Sequence, residues 1–322
     1  MPAITHGLSG AVASQIANSV PDLTGQVVYQ NIRGTEAAAS GAHGHVYRGT
    51  WTTSGGTQIT VAVKIIVVKR NITSEVNSVK LRRFIKVHTF AIPVEEFYDL
   101  DFFLQRGRRE MKVWQRTHHE NVVPFLGITT DIDSPFTAPN PVAMVSLWME
   151  GGNLLKALET NIMEPERLHL ANILINAKGD ACLTDFGLSV ILPEFLGTSY
   201  WSRTAGGAMR WRAPELLPPP SLDVKEIESY EPALTRLCDI YSFGSVALHA
   251  LSLKLPYHNI EDEATVVILV SLRMQPSRPR VPQLTNVYWD LIEFCWGGNG
   301  DPSSRPSIGE IAKMLQLLCQ NC

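Results

Sequence analysis

"LHLANILI" (168–175), the turn "NAKGD" (176–180) and "LTDFGLS" (183–189) are the stretch that decides how this chain folds. Two short apolar runs separated by a Gly-containing turn predict a β-hairpin. Such a hairpin brings Asn172 and Asp185 together as hard oxygen ligands suited to Mg²⁺. Just upstream the pattern breaks. A site of this kind calls for a carboxylate five residues before the Asn, and position 167 is Arg, within "ERLHLANIL" (166–174).

Working outward, "VAVKIIVV" (61–68) reads as a strand, with Ala62, Lys64 and Ile66 on one face and Val61, Val63 and Ile65 on the other. A Lys inside an apolar strand is costly to bury unless it is paired. Residues 106–117 read as a helix that puts Glu110 and Trp114 on one face, and Glu110 is the expected partner. "SGAHGHVYRG" (40–49) has the spaced glycines of a phosphate-covering loop. A dinucleotide turn must open into a helix whose N-terminus receives the pyrophosphate, whereas here β-branched and aromatic residues follow. Alone, this loop is better read as a surface hairpin.

The remaining signals bound the class. The chain has 322 residues, 45% of them hydrophobic, and a formal charge of −3, which gives no electrostatic reason to expect nucleic-acid or membrane binding. The clusters "KLRR" (80–83) and "RGRR" (106–109) read as solvated helix faces. Five Cys, four of them beyond residue 237, argue for a reducing compartment. "CQNC" (319–322) lacks a second pair for a metal site. No signal peptide is read at the N-terminus, and the apolar runs 242–253 and 264–272 are too short or too interrupted to span a bilayer, so a cytoplasmic or nuclear protein is expected. The second half is helical: Ile240, Phe243, Gly244, Ala247, Leu248 and Leu251 make a buried stripe. "SIGEIAKMLQLL" opens with a capping box, Ser307 and Glu310, and places Ile308, Ile311, Ala312 and Leu315 on one face.

The ordered set of Gly loop, Lys, Glu, Asn and DFG resembles the eukaryotic protein kinase family from about residue 25 to the end. The resemblance implies an α+β, two-lobed protein-kinase-like fold. A β-rich N-lobe with helix C spans 26–147, a helical C-lobe spans 148–322, and the hinge lies near 148–153 ("WMEGGN"). Residues 1–25 are expected to be a loosely held extension. It also implies a nucleotide site in which Gly41 and Gly44, with Val46 after them, belong to the Gly-rich loop, although Ala39 stands where a first glycine is expected. Ala62, Met149 and Leu174 would line the adenine, and Lys64, paired with Glu110, would hold the α/β-phosphates. Asn172 and Asp185 would hold Mg²⁺. Ser146, Leu147, Trp148 and Met149 correspond to gatekeeper and hinge. "WRAPE" gives Glu215, whose expected partner is Arg305 of "DPSSRPS". "GGAMRWRAPE" and "RPSIGEI" look most like the tyrosine-kinase-like group, which mostly phosphorylates Ser and Thr. Ser189, Thr198, Ser199, Tyr200, Ser202 and Thr204 are candidate activation-loop phosphosites, though most are expected to be ordinary loop hydroxyls. "THHE" (117–120) falls in the loop after helix C, where His119 is expected to pack locally and bind no metal.

Two departures bear on activity. Lys64 and Glu110 are 46 residues apart, where a strand end, a loop and two helical turns need roughly 16–20. Residues 87–105 therefore read as an insertion. Conversely, only 19 residues separate Asn153 from Asn172, where a helix crossing the lobe alone takes about 20. The C-lobe is expected to be incomplete, with its long helix E essentially absent. Pro165, Glu166 and Arg167 stand where the family has its His-Arg-Asp, and no catalytic base is intact, because Arg is always protonated. Both anomalies fit splicing outcomes or errors in exon assignment. The expectation is an ATP–Mg²⁺ protein kinase domain with impaired transfer to protein hydroxyls; the alternatives are a pseudokinase scaffold or an inactive fragment. The substrate and signalling partner are not legible.

Overall fold

Burial alternates residue by residue along Thr60–Ile65, with Val61, Val63 and Ile65 buried and Ala62 and Lys64 half-buried on the opposite face. This is the period-2 pattern anticipated for that strand. The computed structural model describes residues 20–29, 39–41, 44–65, 107, 110–131, 142–158, 170–186, 209–223, 226, 230, 232 and 234–320. Two compact units emerge: residues 1–150 with 176–190, and residues 151–175 with 191–322. The division falls between Glu150 and Gly151, and residues 176–190 go with the first unit rather than with the C-lobe span 148–322 read from the sequence.

The first unit is built on an antiparallel sheet. Its strands are β1 (Val27–Tyr29), β2 (Ala39–Gly41), β3 (Gly44–Thr52), β4 (Gln58–Ile65), β5 (Phe125–Thr129) and β6 (Ala143–Leu147). The order is β1-β3-β4-β6-β5, with β2 also paired to β3. Registers Val46↔Lys64 and Arg48↔Ala62 on one side of β4, and Met144↔Lys64 and Ser146↔Ala62 on the other, fix which side chains share the Lys64 face. The opposite face carries the core: Leu23, Val27, Tyr47, Val61, Val63, Ile65, Ala143 and Val145. Residues 110–116 form a helix, α1.

Residues 20–25 correct the expectation of a loose extension. Val20 and Leu23 are buried, Leu23 N donates to Ile128 O at 2.8 Å, and Ile128 N donates to Pro21 O at 2.9 Å. Gly25 N donates to Asp131 Oδ2 at 2.8 Å, and Thr130 N to Thr24 Oγ1 at 3.1 Å. The segment covers the open edge of β5, where unpaired backbone groups would otherwise invite association. Pro21 O sits where a Cβ on Gly127 would be, so only glycine fits there.

The second unit contains α2 (Leu154–Ala157), β7 (Ile173–Ile175), α3 (Arg236–Ser252), α4 (Glu263–Ser271), α5 (Asn286–Trp296) and α6 (Ile308–Gln320). Asn153 caps α2 by accepting from Lys156 N at 2.9 Å. In α3, Ile240, Gly244 and Leu248 of the expected stripe are buried, while Phe243, Ala247 and Leu251 are half-buried against the core; Tyr241, Ser245 and His249 are buried as well, so α3 is covered on more than one side. A Cβ on Gly244 would lie 2.8 Å from Cys295 Cβ of α5, so the two helices approach there through glycine. The capping box of α6 is formed: Ser307 N donates to Glu310 Oε2 at 2.7 Å and Glu310 N to Ser307 Oγ at 3.3 Å. The buried face of α6 differs from the one read from the sequence. Ile311, Met314, Leu315 and Leu318 face the core, while Ala312 is exposed and Ile308, in the first turn, is 66% exposed. Among the described residues no helix is long and apolar enough to cross a membrane.

Candidate functional site

Three charged residues far apart in sequence meet in the first unit. Lys64 Nζ lies 2.5 Å from Glu110 Oε1 and 3.1 Å from Asp185 Oδ1. Lys64 is 14% exposed, Glu110 3% and Asp185 27%, so the cluster is closed on the Glu110 side and open to solvent on the Asp185 side. Burial works against the ammonium, but the Glu110 and Asp185 carboxylates outweigh it and hold Lys64 above its ordinary value. A buried Lys stays charged on these terms because two anions face it.

Each member is placed by its own element. Strand alternation delivers Lys64 to the face shared with Ala62 and Val46. Helix α1 delivers Glu110, and one turn later Trp114, whose indole N–H donates to Val123 O at 2.6 Å and anchors the helix to the chain ahead of β5. Strand β8 (Ala181–Leu183) runs along residues 121–123, with Val123 N donating to Leu183 O at 3.0 Å and Leu183 N to Asn121 O at 2.8 Å. Beyond β8 the backbone of Asp185 takes φ +62°, a left-handed conformation uncommon outside glycine and tolerated best by Asp and Asn. Residues held this way concentrate at functional sites. Phe186 then rests on Trp114 at 6.0 Å between ring centroids, and Trp114 in turn on Phe125 at 5.4 Å. One face of α1 therefore holds both the carboxylate for Lys64 and the aromatic floor for the segment that carries Asp185.

The other expected site residues are placed as follows. Gly41 and Gly44 pair across the β2–β3 hairpin, with its tip at 42–43 outside the described residues, and Val46 lies opposite Lys64. Met149 is buried at the end of the first unit. Asn172 closes the single turn Leu170–Asn172 and Leu174 lies in β7, both in the second unit. The Asn176–Asp180 turn forms, its Asn176 side chain accepting from Lys178 N at 2.8 Å and Asp180 N at 2.9 Å. His119 accepts from Asn121 N at 3.0 Å through Nδ1, a local turn contact. Ile66, the insertion 87–105, Pro165, Glu166, Arg167 and the hydroxyls of 189–204 lie outside the described residues.

A contact that the sequence reading missed flanks this face. Arg48 lies 5.2 Å above the Trp148 ring and 3.4 Å from Glu150, an exposed pairing that its register opposite Ala62 makes possible. In the second unit Glu215 and Arg305 meet as expected, with two bonds of 2.5 and 2.8 Å. Burial pushes the Glu215 carboxyl up, but the Arg305 guanidinium more than offsets it and holds the group below its ordinary value.

The residues fit an ATP–Mg²⁺ ligand. Among the described residues no group of three or more His, Cys, Asp or Glu could hold a metal alone. Mg²⁺ in phosphate sites is usually held by one or two carboxylates plus the phosphates themselves, and the partly exposed Asp185 supplies such a group. Residues 166–316 match the protein kinase domain family. A sheet-rich unit and a helical unit fit an α+β, protein-kinase-like fold. Sequence relatives support the eukaryotic protein kinase family. The serine/threonine-protein kinase CTR1 of Arabidopsis thaliana is 26% identical over 73% of this chain and 29% of the relative. A second Arabidopsis thaliana protein, named probable serine/threonine-protein kinase SIS8, is 22% identical over 91% of this chain and 25% of its own length. A protein of Dictyostelium discoideum named probable serine/threonine-protein kinase is 29% identical over 52% and 16%. The chain spans less than a third of the length of these kinases.

Proposed function

We propose that this chain is a tyrosine-kinase-like protein kinase domain that binds ATP with Mg²⁺ and transfers phosphate to protein Ser or Thr only slowly. The observation that carries the nucleotide reading is Lys64 held between Glu110 and Asp185. Lys64 is the ligand of the α/β-phosphates, and Glu110 keeps the ammonium oriented. Asp185 is a metal ligand, and the family motif assigns Asn172 the same role. Gly41 and Gly44 let the backbone come near the phosphates, and Val46, Ala62 and the Met149 backbone serve the base, a role the motif also assigns to Leu174. Bound ATP supplies the γ-phosphoryl group. The segment between Asp185 and Glu215 borders the protein acceptor, and the names of the relatives support Ser and Thr as its hydroxyls. A cytoplasmic or nuclear setting is part of the proposal, supported by Cys182, Cys238, Cys295 and Cys319 being free thiols.

Slow transfer follows from Arg167. A positioned base contributes about 10²–10⁴ in rate, and a guanidinium cannot accept the proton. The same residue favours a second reading, a pseudokinase that uses nucleotide binding to support a scaffold. A thermal-shift series with ATP, with and without Mg²⁺, tests the shared nucleotide claim: a Mg²⁺-dependent rise is expected, and its absence defeats both readings. Phosphate transfer to a generic protein substrate, abolished by Lys64→Met, supports the enzyme; no transfer with intact nucleotide binding supports the scaffold.

A further inference from the structure

A second guanidinium of the helical unit is buried as deeply as Arg305 and serves nothing described so far. Arg210 is the middle residue of the single turn Met209–Trp211, and its side chain is 4% exposed. Its Nε donates to Glu263 Oε1 at 2.6 Å, Nη1 to the carbonyls of Pro256 and Tyr257 at 3.1 and 3.0 Å, and Nη2 to the carbonyl of Ile260 at 2.9 Å. Two buried carbonyls and a half-buried one that face the same guanidinium repel one another and need a cation or donor between them. A planar fork of fixed donors satisfies all three together with a carboxylate, which the single-point ammonium of Lys cannot do.

The cradle is itself held in an uncommon conformation. Tyr257 has φ +60°, an outlier for a bulky residue, and its carbonyl is one of the three that Arg210 engages. The Tyr257 hydroxyl donates to Met274 O at 2.6 Å, which ties the same loop to the chain just beyond α4. At its other end the loop enters α4, whose first residue is Glu263 and whose cap Asp262 accepts from Thr265 N at 2.9 Å. On either side of Arg210, Met209 packs in one apolar cluster with Leu217, Tyr257, Val266 and Val270, and Trp211 lies 5.5 Å from His249. One side chain thus joins three pieces: the turn ahead of Ala213–Glu215, the strained 256–260 loop, and the start of α4.

We propose that Arg210 is a positioning residue, a guanidinium latch that sets the turn 209–211 in register with the 256–260 loop and α4, and through it the seat of the protein acceptor. The last clause rests on the reading that an acceptor protein lies beside the segment leading into Glu215. The latch is tested independently of that reading, by hydrogen exchange at single amides. Informative amides are Arg212, bonded to Met209 O, Ile260, bonded to Tyr257 O, and Val266, bonded to Asp262 O. Arg210→Ala is expected to speed these by about tenfold or more, while Gly297, at the end of α5, keeps its wild-type rate. Arg210→Lys does not restore them, and millimolar methylguanidinium added to the Ala variant does, where methylammonium does not. Unchanged exchange at Arg212, full restoration by Lys, or no rescue by methylguanidinium overturns the latch. If the Ala variant fails to fold, Glu263→Gln gives a smaller acceleration confined to the same amides; acceleration spread evenly over the helical unit overturns it. In the transfer assay Arg210→Ala raises KM for the protein acceptor and leaves the KM for ATP unchanged. A change in both KM values overturns the positioning role, whereas absent transfer in the wild type, with the exchange pattern intact, counts against the enzyme reading alone.

Discussion

Half-buried Lys64 in the sheet-rich unit and buried Arg305 in the helical unit both face carboxylates, yet they are bound very differently. Arg305 grips Glu215 through two parallel bonds, donates also to the carbonyls of Leu237 and Trp296, and lies 5.1 Å from the Tyr241 ring. Its donors are committed and its geometry is fixed by the planar fork. Lys64 meets two carboxylates with a compact ammonium, one of them partly open to solvent and carried on a left-handed residue. A cation held by flexible single-point contacts beside an open carboxylate can exchange a partner for a phosphate. One held by a fork cannot. The first arrangement suits a ligand site, the second a structural joint.

The largest expected effect tests the joint. Arg305→Ala leaves the largely buried Glu215 carboxylate with no cation and only the Cys238 thiol as a side-chain donor among the described residues, and is expected to cost about 3–5 kcal/mol, read as a loss of the cooperative unfolding transition or a large fall in its midpoint. If it costs less than Lys64→Met, the comparison is inverted. Lys64→Met is expected to cost about 1–3 kcal/mol, because Glu110 can take up a proton and Asp185 is partly solvated. Ser307→Ala, which removes the side-chain half of the α6 cap, is expected to cost about 1 kcal/mol and sets the scale of an ordinary local contact.

pH separates the two clusters at opposite ends of the scale. Glu215 is held below its ordinary 4.5, so the stability it gives is present above about that pH and is lost as pH falls through its folded value. Lys64 is held above its ordinary 10.5, so its share is present below that pH and is lost as pH rises through the folded value. The indole N–H resonances of Trp296, bonded to Ser245, and Trp114, bonded to Val123, report on each unit separately. Acid is expected to perturb Trp296 first and alkali Trp114 first; the reverse order breaks the assignment.

What was legible in the sequence follows from the range of the signal. Strand alternation at 61–65 and the i, i+4 relation of Glu110 and Trp114 are local periodicities, and both placed their residues correctly. Glu110 was found across 46 residues because a buried Lys demands an anion. The clasp of residues 20–25 on β5 left no such trace: Thr24, Gly25 and Asp131 are ordinary turn residues, joined only through pairing 106 residues apart. Arg210 was missed for the same reason, since its partners are mainly carbonyls, which every residue possesses. The face of α6 was misread at Ile308 because the first turn of a helix can lie beyond the body it packs on.

The proposed nucleotide site rests on Lys64, Glu110 and Asp185. Titration calorimetry of ATP into the full chain, with Mg²⁺ present or chelated, tests it most directly. Saturable binding that needs Mg²⁺ is expected, weakened about tenfold or more by Lys64→Met and by Asp185→Asn, in variants that retain their unfolding transition. Wild-type chain that stays folded and takes up no ATP, or that binds it equally well after Lys64→Met, would contradict it.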